Sequence, residues 1–144
     1  MNRNEGKMAA GKKQSAGSRK VLVVDDDPQL REVLVEALSD QGYEVAAAES
    51  GEQALEILAR EKIHVQLIDL QLPGINGIDL CRKLSDMDPV AQRIAMTAYV
   101  SVFNLVESRE AGFDDYFVKP FTVQLILDSV EVAFGKVERW MQGR

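Results

Sequence analysis

One cysteine, Cys81, and one histidine, His64, are all that the 144 residues provide of thiol and imidazole. No disulfide forms within the chain, which fits a reducing, cytoplasmic setting. Cys81 falls on an apolar helix face and is read as core. His64 is read as a loop or strand-edge residue. No paired Cys-x-x-Cys and no Walker-type glycine loop is present. No apolar run approaches the roughly 18 residues of a membrane span. No hydrophobic stretch follows the basic N-terminus, so a secretory signal is not expected.

Charge is present but unevenly placed. The net charge is −6, yet residues 1–20 carry six Lys/Arg and one Glu, which leaves −11 for residues 21–144. An acidic body argues against direct DNA binding. Residues 1–19 are rich in Gly, Lys, Ser, Ala and Asn without periodicity, and are predicted to form a disordered basic tail. Residues 20–144 make one domain, with an apolar fraction (46% for the whole chain) ordinary for a globular protein.

Short apolar runs alternate with amphipathic segments along that domain. Val21-Leu22-Val23-Val24 is β-branched and continuous, as in a strand buried on both faces. It stops at Asp25-Asp26-Asp27-Pro28, where Asp27 suits an N-cap and Pro28 a first helical turn. Leu30, Val33, Leu34, Ala37 and Leu38 follow at helical spacing, and Gly42 ends that helix. Val45–Ala48 is a weak second strand, followed by a capping box at Ser50-Gly51-Glu52-Gln53. A third strand, Val65–Ile68, ends at Asp69. The turn residues Pro73-Gly74 and Asn76-Gly77 precede a helix with Ile78, Cys81 and Leu84 inside. Arg93–Met96 ends at Thr97, and a helix over roughly Ser101–Glu110 follows. Tyr116–Val118 ends at Lys119-Pro120, and a long helix runs from near Thr122 towards Met141. Five strands alternating with five helices predict an α/β fold, a parallel sheet with helices on both faces.

In such sheets ligands bind beyond the carboxyl ends of the strands. Those ends carry Asp25 and Asp26, Asp69, Thr97 and Lys119. Three converging carboxylates repel one another unless a cation neutralises them. Oxygen donors without a His or Cys cluster suit Mg²⁺, or Mn²⁺, better than zinc. Lys119 and Thr97 add a positive charge and a hydroxyl for phosphoryl oxygens. A carboxylate can be the nucleophile in phosphoryl transfer, and Asp69, between strand and turn, is the candidate.

These segments resemble the receiver domain of response regulators over about residues 20–136. The resemblance is carried by Val-Val-Asp25-Asp26-Asp27-Pro28, by Leu-Ile-Asp69 with the following Pro73-Gly74 and Gly77, by Met96-Thr97-Ala98, and by Tyr116-Phe-Val-Lys119-Pro120. It implies a doubly wound (βα)5, flavodoxin-like fold. It implies that Asp26, Asp69 and the backbone carbonyl of Gln71 hold Mg²⁺, with Asp25 acting through a metal-bound water. Asp69 would accept phosphate from a phosphohistidine on a sensor histidine kinase or histidine phosphotransfer protein. Thr97 and Lys119 would bind the phosphoryl oxygens, and Tyr116 would follow Thr97 as the switch aromatic. The Lys119–Pro120 bond would be cis. A downstream protein target would meet the fourth helix, fifth strand and fifth helix, near Ser101–Val106, Tyr116 and Ile126–Val130. Gln71 and Tyr99 lie where the family tunes autodephosphorylation, and a bulky Tyr99 is expected to shield the acyl phosphate.

The apolar stripe Ile126, Val130, Ala133, Val137 and Trp140 runs past the expected domain end. Packing on the body is the simpler reading. Contact of Phe134, Val137, Trp140 and Met141 with a partner or a second copy, a homodimer, is the sharper one. No output domain is expected, so the chain reads as a stand-alone regulator or phosphorelay intermediate, although a fragment of a larger protein would look the same. Haloacid-dehalogenase-like phosphatases also use a nucleophilic Asp with Mg²⁺. They place an acid two residues later, where this chain has Gln71.

Overall fold

The computed structural model describes residues 19–142. The expectation for the tail falls outside them, apart from Arg19. Five strands form one sheet: β1 (Lys20–Val24), β2 (Glu44–Ala48), β3 (Val65–Asp69), β4 (Gln92–Thr97) and β5 (Asp115–Val118). All neighbours are parallel, in the order β2-β1-β3-β4-β5. The helices are α1 (Pro28–Asp40), α2 (Gly51–Arg60), α3 (Gly77–Met87), α4 (Val102–Ala111) and α5 (Val123–Gln142).

The continuous apolar strands have a physical cause. Alternate residues of each central strand feed two separate cores. Val21, Val23, Leu67, Ile94 and Met96 meet Leu34 and Leu38 of α1 and Ile126, Val130 and Phe134 of α5. Leu22, Val24, Ile68 and Ala95 meet Ala54 of α2, Leu80, Cys81 and Leu84 of α3, and Ala111 of α4. A strand with helices on both sides has no solvent-facing side, so its residues are mostly apolar.

Local chemistry fixes where the first four helices begin. Asp27 caps α1 by accepting from Gln29 N at 3.0 Å, with Pro28 in the first turn. Ser50 accepts from Gln53 N at 3.1 Å. The Gln53 amide reaches back to Glu49 N at 2.7 Å, one residue earlier than a standard capping box. Asn76 caps α3 and Ser101 caps α4, each accepting from the amide three residues on, at 2.9 and 3.0 Å. Just beyond α1 and its C-cap Gln41, Gly42 turns the chain with a φ of +97°, which an L side chain rarely adopts.

Several features were not specified by the sequence or depart from its expectations. Arg93 is only 2% exposed. Its guanidinium donates to the carbonyls of Leu84 (2.7 Å) and Asp88 (2.6 Å) and so caps the C-terminal end of α3. Ile126 and Val130, expected on the partner face, are fully buried because they lie on the sheet side of α5. Phe134 and Val137 are buried too, whereas Trp140 is 68% exposed. Arg19, expected in the tail, instead forms a two-bond ion pair with Glu138 of α5, both contacts at 2.8 Å. No helix among the described residues is long and apolar enough to cross a membrane.

Candidate phosphoacceptor site

The parallel register brings the strand ends to one edge and extends the ladder beyond them. Asp25 N bonds Ala48 O (3.1 Å), Leu70 N bonds Met96 O (2.9 Å) and Lys119 N bonds Thr97 O (2.7 Å). The backbones carrying Asp25, Asp69, Thr97 and Lys119 are therefore tied to neighbouring strands and do not float on loops. Lys119–Pro120 is a cis peptide.

Asp25, Asp26 and Asp69 each offer a carboxylate oxygen, and these lie within 4.8 Å of one another. Asp25 and Asp69 are buried and Asp26 is exposed. One Asp25 oxygen accepts from Asp27 N at 2.9 Å, which closes the acidic turn, and Arg31 donates to the Asp25 carbonyl at 2.7 Å. Lys119 Nζ reaches Asp25 Oδ2 at 2.9 Å and Asp69 Oδ2 at 3.2 Å.

Electrostatics follow from this packing. Burial raises the Asp69 pKa and the nearby Asp25 carboxylate adds to it, against the Gln71 N–H bond (3.0 Å) and Lys119. Burial opposes the charge on Lys119, but its bonds and attraction to Asp25 and Asp69 prevail, and its pKa is raised. One ammonium thus faces three carboxylates. The donor set is hard oxygen throughout, open on the Asp26 side, and this suits a small divalent cation. The fit rests on that excess of negative charge and on the spacing of the three oxygens.

Thr97 is fully buried at the end of β4. Its Oγ1 accepts from Tyr99 N at 3.0 Å and lies 3.3 Å from Tyr99 O. Tyr116 is half-buried, and its hydroxyl donates to that same Tyr99 carbonyl at 3.2 Å. Asn104 of α4 reaches the Tyr116 hydroxyl at 3.5 Å. The Tyr99 ring is 66% exposed, so it is the backbone of Tyr99 that engages Thr97 and Tyr116. Val102 and Phe103 of α4 are 78% and 75% exposed, and Leu125 of α5 is 49% exposed.

Asp25, Asp26, Asp69, Thr97 and Lys119 therefore lie at this edge, with Gln71 and Tyr99 bonded to Thr97. Gln71 was expected to tune autodephosphorylation, but the contact its side chain makes with Thr97 was missed. That side chain bridges to Thr97, with Nε2 2.8 Å from Thr97 Oγ1, and its Oε1 accepts from Ala98 N at 3.1 Å. Glu52 was also missed as a support. From the start of α2 it accepts from Ile75 N at 3.1 Å and so holds the loop after Asp69. Neither contact has a periodic signal, since each joins a loop residue to a distant element.

Comparison with known proteins gives one answer at three levels. The chain is 35% identical over 114 residues to sporulation initiation phosphotransferase F of Bacillus subtilis, covering 79% of this chain and 92% of the relative. It spans about half of other relatives, 52% of one. A CheY-like receiver domain from Methanospirillum hungatei superposes with a TM-score of 0.81 at 30% identity, covering 84% of this chain and 97% of the other. A response regulator from Burkholderia pseudomallei, described with a phosphorylated aspartic acid and a calcium ion, gives 0.74 at 29% identity over 86% and 73%. The family pattern of the response regulator receiver domain matches residues 21–131, from β1 well into α5. With strand order, acidic edge and sequence in agreement, this chain belongs to the receiver domains of two-component response regulators.

Proposed function

We propose that Asp69 accepts a phosphoryl group from a phosphohistidine, on a sensor histidine kinase or a histidine phosphotransfer protein. The carrying observation is the buried Asp69 carboxylate, 3.2 Å from Lys119 Nζ and beside two further aspartates. A Mg²⁺ ion would be held by Asp26, Asp69 and the Gln71 backbone carbonyl, with Asp25 alongside, and would supply charge compensation on the transferring oxygens. Lys119 and Thr97 would take the phosphoryl oxygens. A structural relative described with a phosphorylated aspartate and a calcium ion supports this reading.

The output is a change in protein contact. Thr97, the Tyr99 carbonyl, Tyr116 and Asn104 form a continuous hydrogen-bonded path from the site to α4. The apolar residues Val102, Phe103 and Leu125 then offer a surface for a downstream protein. The acidic body makes DNA an unsuitable direct partner, and the reading places the reaction in the cytoplasm. A phosphorelay role is supported by the similarity to a sporulation phosphotransferase. Phosphatase turnover of external esters lacks its acid, because Gln71 is neutral and bonded to Thr97.

Amide NMR shifts during titration with Mg²⁺ and beryllofluoride, a phosphoryl mimic, test this. Wild type should bind the mimic only with Mg²⁺ and shift along α4 and β5. Asp69→Asn should show no binding. Equal binding by both would reject Asp69 as acceptor.

A further inference from the structure

The Gln71 side chain lies across the place where a phosphoryl oxygen on Asp69 would find its donors. Gln71 N donates to Asp69 Oδ1 at 3.0 Å, so the residue is anchored beside the acceptor. Its Oε1 takes the Ala98 N–H at 3.1 Å and lies 3.2 Å from Thr97 Oγ1. Its Nε2 donates to the same Oγ1 at 2.8 Å. The Thr97 hydroxyl has one proton to give. It is shared between Gln71 Oε1 and the Tyr99 carbonyl, at 3.2 and 3.3 Å. While the carboxamide is in place, neither the Ala98 N–H nor the Thr97 hydroxyl is free for another oxygen.

We propose that Gln71 is a positioning residue that fills the seat of a phosphoryl oxygen between Thr97 and Ala98 in the unphosphorylated protein, and that phosphorylation displaces it. This rests on Asp69 being the acceptor. A neutral carboxamide satisfies the Ala98 amide and holds Thr97 facing the pocket. An anionic oxygen makes stronger hydrogen bonds to the same donors and wins the exchange. The resting site is thereby kept preorganised and occupied at once. Displacement of the carboxamide must weaken anion binding, by about 3- to 10-fold for one or two neutral hydrogen bonds lost.

The test compares wild type, Gln71→Ala and Gln71→Glu, reading hydrogen exchange at the Ala98 amide and the affinity for beryllofluoride with Mg²⁺. In Gln71→Ala the free protein should exchange Ala98 N–H about ten-fold faster, since its acceptor is gone. Slow exchange should return when beryllofluoride binds, and binding should be about five-fold tighter than in wild type. Gln71→Glu keeps an acceptor but adds negative charge, so Ala98 should stay protected while beryllofluoride binds at least ten-fold more weakly. Unchanged Ala98 exchange in Gln71→Ala, or mimic binding no tighter than wild type, overturns the proposal alone. Failure of all three proteins to bind the mimic overturns the phosphoacceptor reading along with it.

Discussion

Asp69 sits where its own charge is least welcome. It is 3% exposed, has Asp25 beside it, and shares the one ammonium of Lys119 with that neighbour. Such crowding stores an unfavourable interaction that a divalent cation relieves. Without metal, Asp69→Asn should therefore raise stability, by about 1 kcal/mol as is usual for a stabilising single substitution. The amide still offers Lys119 an acceptor. Calorimetry in a chelator should show Tm rising by about 3 °C for a domain of this size, and a fall would mean that Lys119 already balances the cluster. The identity of Asp25, Asp26, Asp69, Thr97 and Lys119 was legible because each ends a short apolar run, and strand ends in a parallel sheet share one edge. The Gln71 contacts were not legible. A residue in a short loop carries no period, and only the fold brings its amide to Thr97, 26 residues away in sequence.

At the level of elements, the site depends on how closely α3 approaches the end of β3. A Cβ on Gly77 would collide with the Asp69 carbonyl and lie 2.7 Å from the Leu70 Cα. Both are backbone atoms, which cannot swing aside as a side chain can. Gly77→Ala should cost about 2–3 kcal/mol through overpacking and displace the Asp69 backbone, so urea denaturation should show a lower midpoint. A variant as stable as wild type would show that α3 can shift freely. The start of α1 followed from the cap at Asp27 and its end from Gly42, and the start of α3 followed from the Asn76-Gly77 turn. The burial of Arg93 did not, because the pattern placed it in the fourth strand without indicating a partner for its guanidinium. Its value emerges only once the carbonyls of Leu84 and Asp88 converge on it. Likewise the spacing of Ile126 and Val130 gave a helix face, but only packing against Met96 and Ile94 shows that this face points inward.

For the whole molecule, two cores on opposite faces of one sheet hold five strand ends in register, and the chemistry collects at a single edge. Just before β1, a further long-range contact forms where Arg19 binds Glu138 and stacks over Phe134 at 5.2 Å. The sequence showed the five alternations and the polar strand ends. It left open which part of α5 is surface, and the structure leaves Trp140 exposed while Phe134 and Val137 pack. The central claim is that this assembly makes Asp69 a phosphoryl acceptor. Intact mass after incubation with acetyl phosphate and Mg²⁺ addresses it most directly. The expected result is a single phosphoryl adduct on wild type, lost in chelator and absent from Asp69→Asn. An adduct of the same yield on Asp69→Asn, or none on folded wild type with a donor kinase supplied, would contradict it.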